Sequence, residues 1–146
     1  MNLRRIVPLA AVGLLAVGAF APAQAAPKKF AGSYTVTLLP DPTPNAFHAA
    51  GNGNCFNLNP GAVDRRDLKV PGKGKLTITL DSPDPTGSGL TDWDMYVTGD
   101  GEELGEGSGA TSHEEVTMKF KKAQTISVAV CNLAGQPTGT VTYSLS

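Results

Sequence analysis

The sequence predicts an all-β domain of about eight short antiparallel strands, packed as a sandwich or a barrel. Three observations predict it. Apolar residues recur at every second position through a series of short segments, which is the period of a half-buried strand. Clusters of Gly, Pro, Asn and Asp break these segments at roughly 8–12-residue intervals, and no window of helical length beyond residue 25 keeps a 3.6-residue apolar period.

Ser33 to Leu39 alternates hydroxyl and apolar side chains and reads as the first strand, stopped by Pro40, Pro42 and Pro44, which cannot donate to a ladder. A Gly/Asn-rich stretch to Gly61 reads as a long loop, with a short strand expected inside it at Cys55–Leu58. Val63–Val70 precedes a Pro71-Gly72 turn, and Lys75–Asp81, with Leu76, Ile78 and Leu80 on one face, is the clearest strand. In Asp92–Val97 the residues Trp93, Met95 and Val97 share one face, while Asp92, Asp94 and Tyr96 share the other. Trp93 is expected to anchor the core. Gly99-Asp100-Gly101 reads as a hairpin turn, since Asp-Gly tolerates positive φ, and the glycine-rich stretch through Gly109 reads as a loop. Val116, Met118 and Phe120, then Ile126, Val128 and Val130, then Val141, Tyr143 and Leu145 mark the last three strands.

Ahead of this domain stand Arg4-Arg5, an apolar run from Ile6 to Phe20, and Ala23-Gln24-Ala25. A basic head, a greasy core too short for the roughly 20 residues of a membrane span and a small-x-small end make an export signal. Cleavage is expected between Ala25 and Ala26, giving a signal peptide at 1–25 and one β-sandwich domain at 26–146. No cysteine follows the apolar run, so no lipid or membrane anchor is expected. The whole chain has 12 basic and 13 acidic residues; without Arg4 and Arg5 the balance is 10 against 13, a net charge of −3. That excess of carboxylates disfavours nucleic acid, whose phosphates require clustered Lys and Arg. The run Lys119, Lys121, Lys122 reads as a solvated strand end.

Cys55 and Cys131 are the only cysteines, 76 positions apart. In an exported protein such a pair is expected to form one disulfide. Closing a loop of that length stabilises the fold by roughly 4–5 kcal/mol in the chain-entropy model.

From about Asp64 to the end, the order of motifs resembles the bacterial pre-peptidase C-terminal domain. Leu68–Gly72 ends in Pro-Gly, Leu76–Leu80 alternates, Asp92–Val97 is of the Asp-x-Asp-x-Tyr type, and Tyr143-Ser144-Leu145 closes the chain. Ala123-Gln124-Thr125-Ile126 stands where that family carries Gly-x-Tyr. The resemblance implies a jelly-roll-like antiparallel sandwich of the kind that accompanies secreted peptidases, some of whose members bind calcium.

Calcium takes hard oxygen ligands, and Asp92 and Asp94 lie about 7 Å apart along one strand face. Asp84 and Asp100, with Asp81, could complete such a site from neighbouring loops; the alternative is a solvated acidic face. An EF-hand is excluded, because Val97 stands where its glycine is required. His113-Glu114-Glu115 lacks the second His of a zinc-protease helix, and Gly105-x-Gly107-x-Gly109 lacks the Lys-Ser/Thr of a phosphate loop. His48 and His113 have no Gly-x-Ser-x-Gly elbow to serve. The expected function is therefore a secreted, non-catalytic binding module for extracellular protein or polysaccharide, acting through the loops Asp41–Gly53 and Gly99–Gly109. The alternative is an accessory, inhibitory or chaperone-like partner of a separate secreted hydrolase.

Overall fold

The computed structural model describes residues 29–41, 55, 58–87 and 89–146; the expected signal peptide at 1–25 with its Ala25–Ala26 junction, His48 and all but Asp41 of the stretch Asp41–Gly53 lie outside them. Eight strands form two four-stranded antiparallel sheets. They are β1 (Ala31–Thr37), β2 (Val63–Val70), β3 (Gly74–Asp81), β4 (Asp92–Gly99), β5 (Glu102–Gly107), β6 (His113–Phe120), β7 (Gln124–Ala134) and β8 (Thr138–Leu145). A single 3₁₀ turn, Pro60–Ala62, precedes β2. One sheet has the order β1-β8-β3-β6 and the other β2-β7-β4-β5.

The pairings are nested: β1 with β8, β2 with β7, β3 with β6, β4 with β5. A long hairpin folded over so that β3 also meets β8 and β4 also meets β7 gives this order. It is the jelly-roll sandwich expected from the sequence. The alternating apolar residues fill the space between the sheets: Leu76, Ile78 and Leu80 from β3, Trp93, Met95 and Val97 from β4, Ile126, Val128 and Val130 from β7, and Val141 from β8. Each such side chain contributes about 1.5–3 kcal/mol by leaving water. Trp93 is fully buried and its Nε1 donates to the Gln136 carbonyl at 3.2 Å.

Two expectations are corrected. Cys55 lies in a turn and Leu58 in a bend, not in a strand. The remaining strand is β5, inside the Gly99–Gly109 stretch read as a loop. Its turn is as expected: Asp100 and Gly101 have φ of 52° and 83°, the two positive values of a type I′ hairpin. The glycines that suggested a loop have a packing role. A β-carbon on Gly105 would fall 2.5 Å from Val116 Cγ1, and one on Gly107 would fall 2.8 Å from Glu114 Oε2. The edge strand β5 presses on β6 of the other sheet, and glycine in a strand marks such an approach.

The two outer faces differ. Over the β2-β7-β4-β5 sheet, Cys55, Leu58 and Val63 gather with Tyr96, Ala129, Cys131 and Leu133 into a second apolar cluster. The Cys55–Cys131 disulfide, with Cα atoms 5.6 Å apart, fastens it. Backbone bonds from Leu39 N to Gly61 O and from Asp41 N to Asn132 O, and the Asp41 carboxylate accepting from Asn59 N, hold the covering segment. Buried Asn132 donates its amide to both Leu38 O and Gln136 O, tying the β1–β2 connection to the β7–β8 turn. The outer face of the β1-β8-β3-β6 sheet has no such cover among the described residues.

Candidate functional site

The four aspartates proposed as calcium ligands do not come together. Asp92 and Asp100 bracket β4, about 26 Å apart at 3.3 Å per residue. Asp84 accepts from Thr86 Oγ1 at 3.1 Å and Gly89 N at 3.0 Å, closing its own turn. Asp92 and Asp94 are close enough for their charges to interact, and the register shift beside them falls on β7, where Leu133 has no partner in β4. Among the described residues no three His, Cys, Asp or Glu side chains form a group that could hold a metal ion.

Asp94 is not on a solvated face either. It is buried at 4% exposure, with Cys55 Sγ 3.9 Å from its carbonyl oxygen. Burial, then the nearby Asp92, Glu114 and Glu106 charges, push its carboxyl up to about 8, so it holds a proton at neutral pH. Tyr96 beside it is pushed up to about 12, first by burial and then by Asp94. Glu114 is buried at the start of β6, where Oε1 accepts from Gly109 N and Thr111 Oγ1.

His113 meets Asp81 across the β3–β6 pair, Nδ1 to Oδ1 at 2.6 Å, and that hydrogen bond raises its pKa. Both side chains are more than half exposed. Among the described residues the His113 ring bonds Asp81 alone.

The uncovered face carries the feature that sequence reading missed. Since Leu76, Ile78 and Leu80 point inward, Lys75, Thr77, Thr79 and Asp81 point outward, and the register sets Thr77 beside Ser144 and Thr117, Thr79 beside Thr142, and Lys75 beside Lys119. Ser33, Thr142, Thr79 and Glu115 form one row across the four strands; Thr35, Thr140, Asp81 and His113 form the next. Ser144, Thr77 and Thr117 form a third, and Lys75 with Lys119 closes the series. Hydroxyls touch along the rows, Thr77 to Thr117 at 3.2 Å and Thr79 to Thr142. The signal was present in the sequence as Ser33-x-Thr35-x-Thr37, Thr77-x-Thr79 and Thr138-x-Thr140-x-Thr142; only the strand order makes it a surface.

Compared with protein-family models and with curated proteins, the chain matches none. Fold and site define a disulfide-bonded jelly-roll sandwich in which the Cys55 segment covers part of one outer face, while the other, hydroxyl-bearing outer face has no such cover among the described residues.

Proposed function

We propose that this is an exported, non-catalytic binding module whose ligand is extracellular polysaccharide, taken up on the open face of the β1-β8-β3-β6 sheet. One observation carries the reading: among the described residues, in-register rows rich in serine and threonine hydroxyls lie uncovered on a four-stranded sheet. Each hydroxyl both donates and accepts, which suits a polymer whose own surface is mostly hydroxyl. The contact surface is thus the sheet face, in place of the Gly99–Gly109 stretch, which is a hairpin. The leader pattern at residues 1–25 and the disulfide support export to an oxidising compartment. The likeness of residues 64–146 to the pre-peptidase C-terminal domain agrees with an extracellular module that works by attachment.

Affinity electrophoresis through gels containing soluble polysaccharides tests this. Retardation of the oxidised protein, lost in Thr79→Val/Thr142→Val at unchanged thermal midpoint, is the expected result. Turnover of general peptidase or esterase substrates, or binding that ignores the double substitution, overturns it.

A further inference from the structure

Every lysine of the described residues lies at one end of the sandwich. Lys69 and Lys73 flank the β2–β3 turn, Lys121 and Lys122 form the β6–β7 turn, and Lys75 and Lys119 are direct partners in the β3–β6 ladder. Lys29 precedes Phe30, whose carbonyl accepts from Leu145 N at the same end. Among the described residues no lysine pairs with a carboxylate; the ion pairs are Arg66–Asp64 and His113–Asp81. The acidic side chains at this end, Asp100, Glu102 and Glu103, sit around the β4–β5 turn of the other sheet, while Ser146 with its carboxylate bonds the Lys75 backbone without an ion pair to its ammonium group. Asp81, Asp84, Asp92 and Asp94 lie at the far end.

The Lys75–Lys119 pair is the telling element. Like charges directly opposite one another in an antiparallel pair destabilise it, and here a third and fourth ammonium follow in the adjoining turn. Folding gains nothing from that arrangement, whereas an anion lying across it gains several charge-assisted contacts. The pair terminates the open hydroxyl face. Around the free edge of β6, Lys119, Lys121 and Lys122 also rim a groove of about 470 Å³ with Leu104, Met118 and Phe120 in its lining. Leu104 is partly exposed beside these lysines, with buried Met118 and Phe120 behind it, and such an apolar contact suits the C–H face of a sugar ring that carries peripheral charge.

We infer that the ligand is an acidic polysaccharide, carrying carboxylate or sulfate groups, whose anionic groups seat on Lys75, Lys119, Lys121 and Lys122 while its hydroxyls run onto the adjoining sheet face. This rests on the polysaccharide reading above and narrows it to a charge class.

The test measures binding of the oxidised full chain to polygalacturonate, to uncharged dextran and to polyglutamate at low ionic strength. Polygalacturonate should bind at least about tenfold tighter than either of the others, the change expected for losing two or three modest charge contacts. Lys75→Gln/Lys119→Gln should weaken polygalacturonate binding about tenfold while leaving the thermal midpoint unchanged or higher, because repulsion is relieved. Lys69→Gln, on the other sheet, should change affinity less than twofold. Equal loss from Lys69→Gln would mean diffuse attraction and overturn the inference, as would wild-type affinity in the Lys75/Lys119 variant or polyglutamate binding as tightly as polygalacturonate. Dextran binding as tightly as polygalacturonate would also overturn it but leave the polysaccharide reading standing; binding of neither glycan removes both.

Discussion

Gly139 of β8 lies against the indole of Trp93 from the opposite sheet, so closely that a β-carbon on it would come within 2.9 Å of Cζ3 and 3.1 Å of Cη2. The largest core side chain has its space because β8 has none there. Leu80 Cδ1, 3.2 Å from the same point, closes the third side.

Gly139→Ala should therefore destabilise the protein by about 1–3 kcal/mol, the usual cost of overpacking. Trp93→Ala should cost about 3–5 kcal/mol through the cavity it leaves. Urea unfolding monitored by far-ultraviolet circular dichroism measures both. A Gly139→Ala midpoint equal to that of the wild type would mean that the two sheets separate freely at this point.

Reduction of Cys55–Cys131 should cost about 2–5 kcal/mol and release the cover of the second sheet, since Cys55 belongs to the cluster that includes Tyr96 and Leu133. Thermal melts with and without reductant, together with Tyr96 solvent exposure by near-ultraviolet absorbance, read the two effects separately. Two alkylatable thiols in the native protein would refute the bond.

Asp94 should make the protein less stable as pH rises. Its carboxyl ordinarily titrates at 3.8 and in the fold is pushed up to about 8. Between those values the unfolded chain has lost the proton that the folded chain keeps, so the folded state binds more protons and stability falls with pH. The contribution is whole below about 4 and gone above about 8, a change on the order of a few kcal/mol. Asp94→Asn, similar in size and always neutral, should flatten the profile from pH 5 to pH 8 and exceed the wild type at pH 8. Parallel profiles for the two proteins would count against the assignment.

Calcium and magnesium, compared at matched ionic strength, should shift the melting temperature equally. Asp100 is too far from Asp92 to share an ion, Asp84 closes its own turn, and Asp94 keeps a proton at neutral pH. A rise specific to calcium and abolished by Asp92→Asn/Asp94→Asn would mean that these carboxylates rearrange around it.

The strands that were legible from sequence are those whose own side chains alternate into the shared core, such as Lys75–Asp81 and His113–Phe120. Strand β5 was not legible, because Leu104 is its one large apolar residue and its glycines answer to Val116 and Glu114 on another strand. Asp94 and Tyr96 were assigned to the correct side of β4 but to solvent, since what buries them approaches from Cys55, 39 residues upstream of Asp94. The lysine end was invisible for the same reason. Lys75 and Lys119 are joined by ladder register, which composition and spacing do not encode.

The pairing of the first strand with the last has a consequence for how the chain acquires its structure. Ala31 partners Ser144 and Thr37 partners Thr138, so β1 has no place to add until almost the whole polypeptide is available. The inner pair, β4 with β5, closes across the shortest loop and can form early; each surrounding pair must close a longer one. Assembly dominated by such distant contacts is slow, which leaves the chain open and threadable for longer after synthesis than a helical protein of the same size.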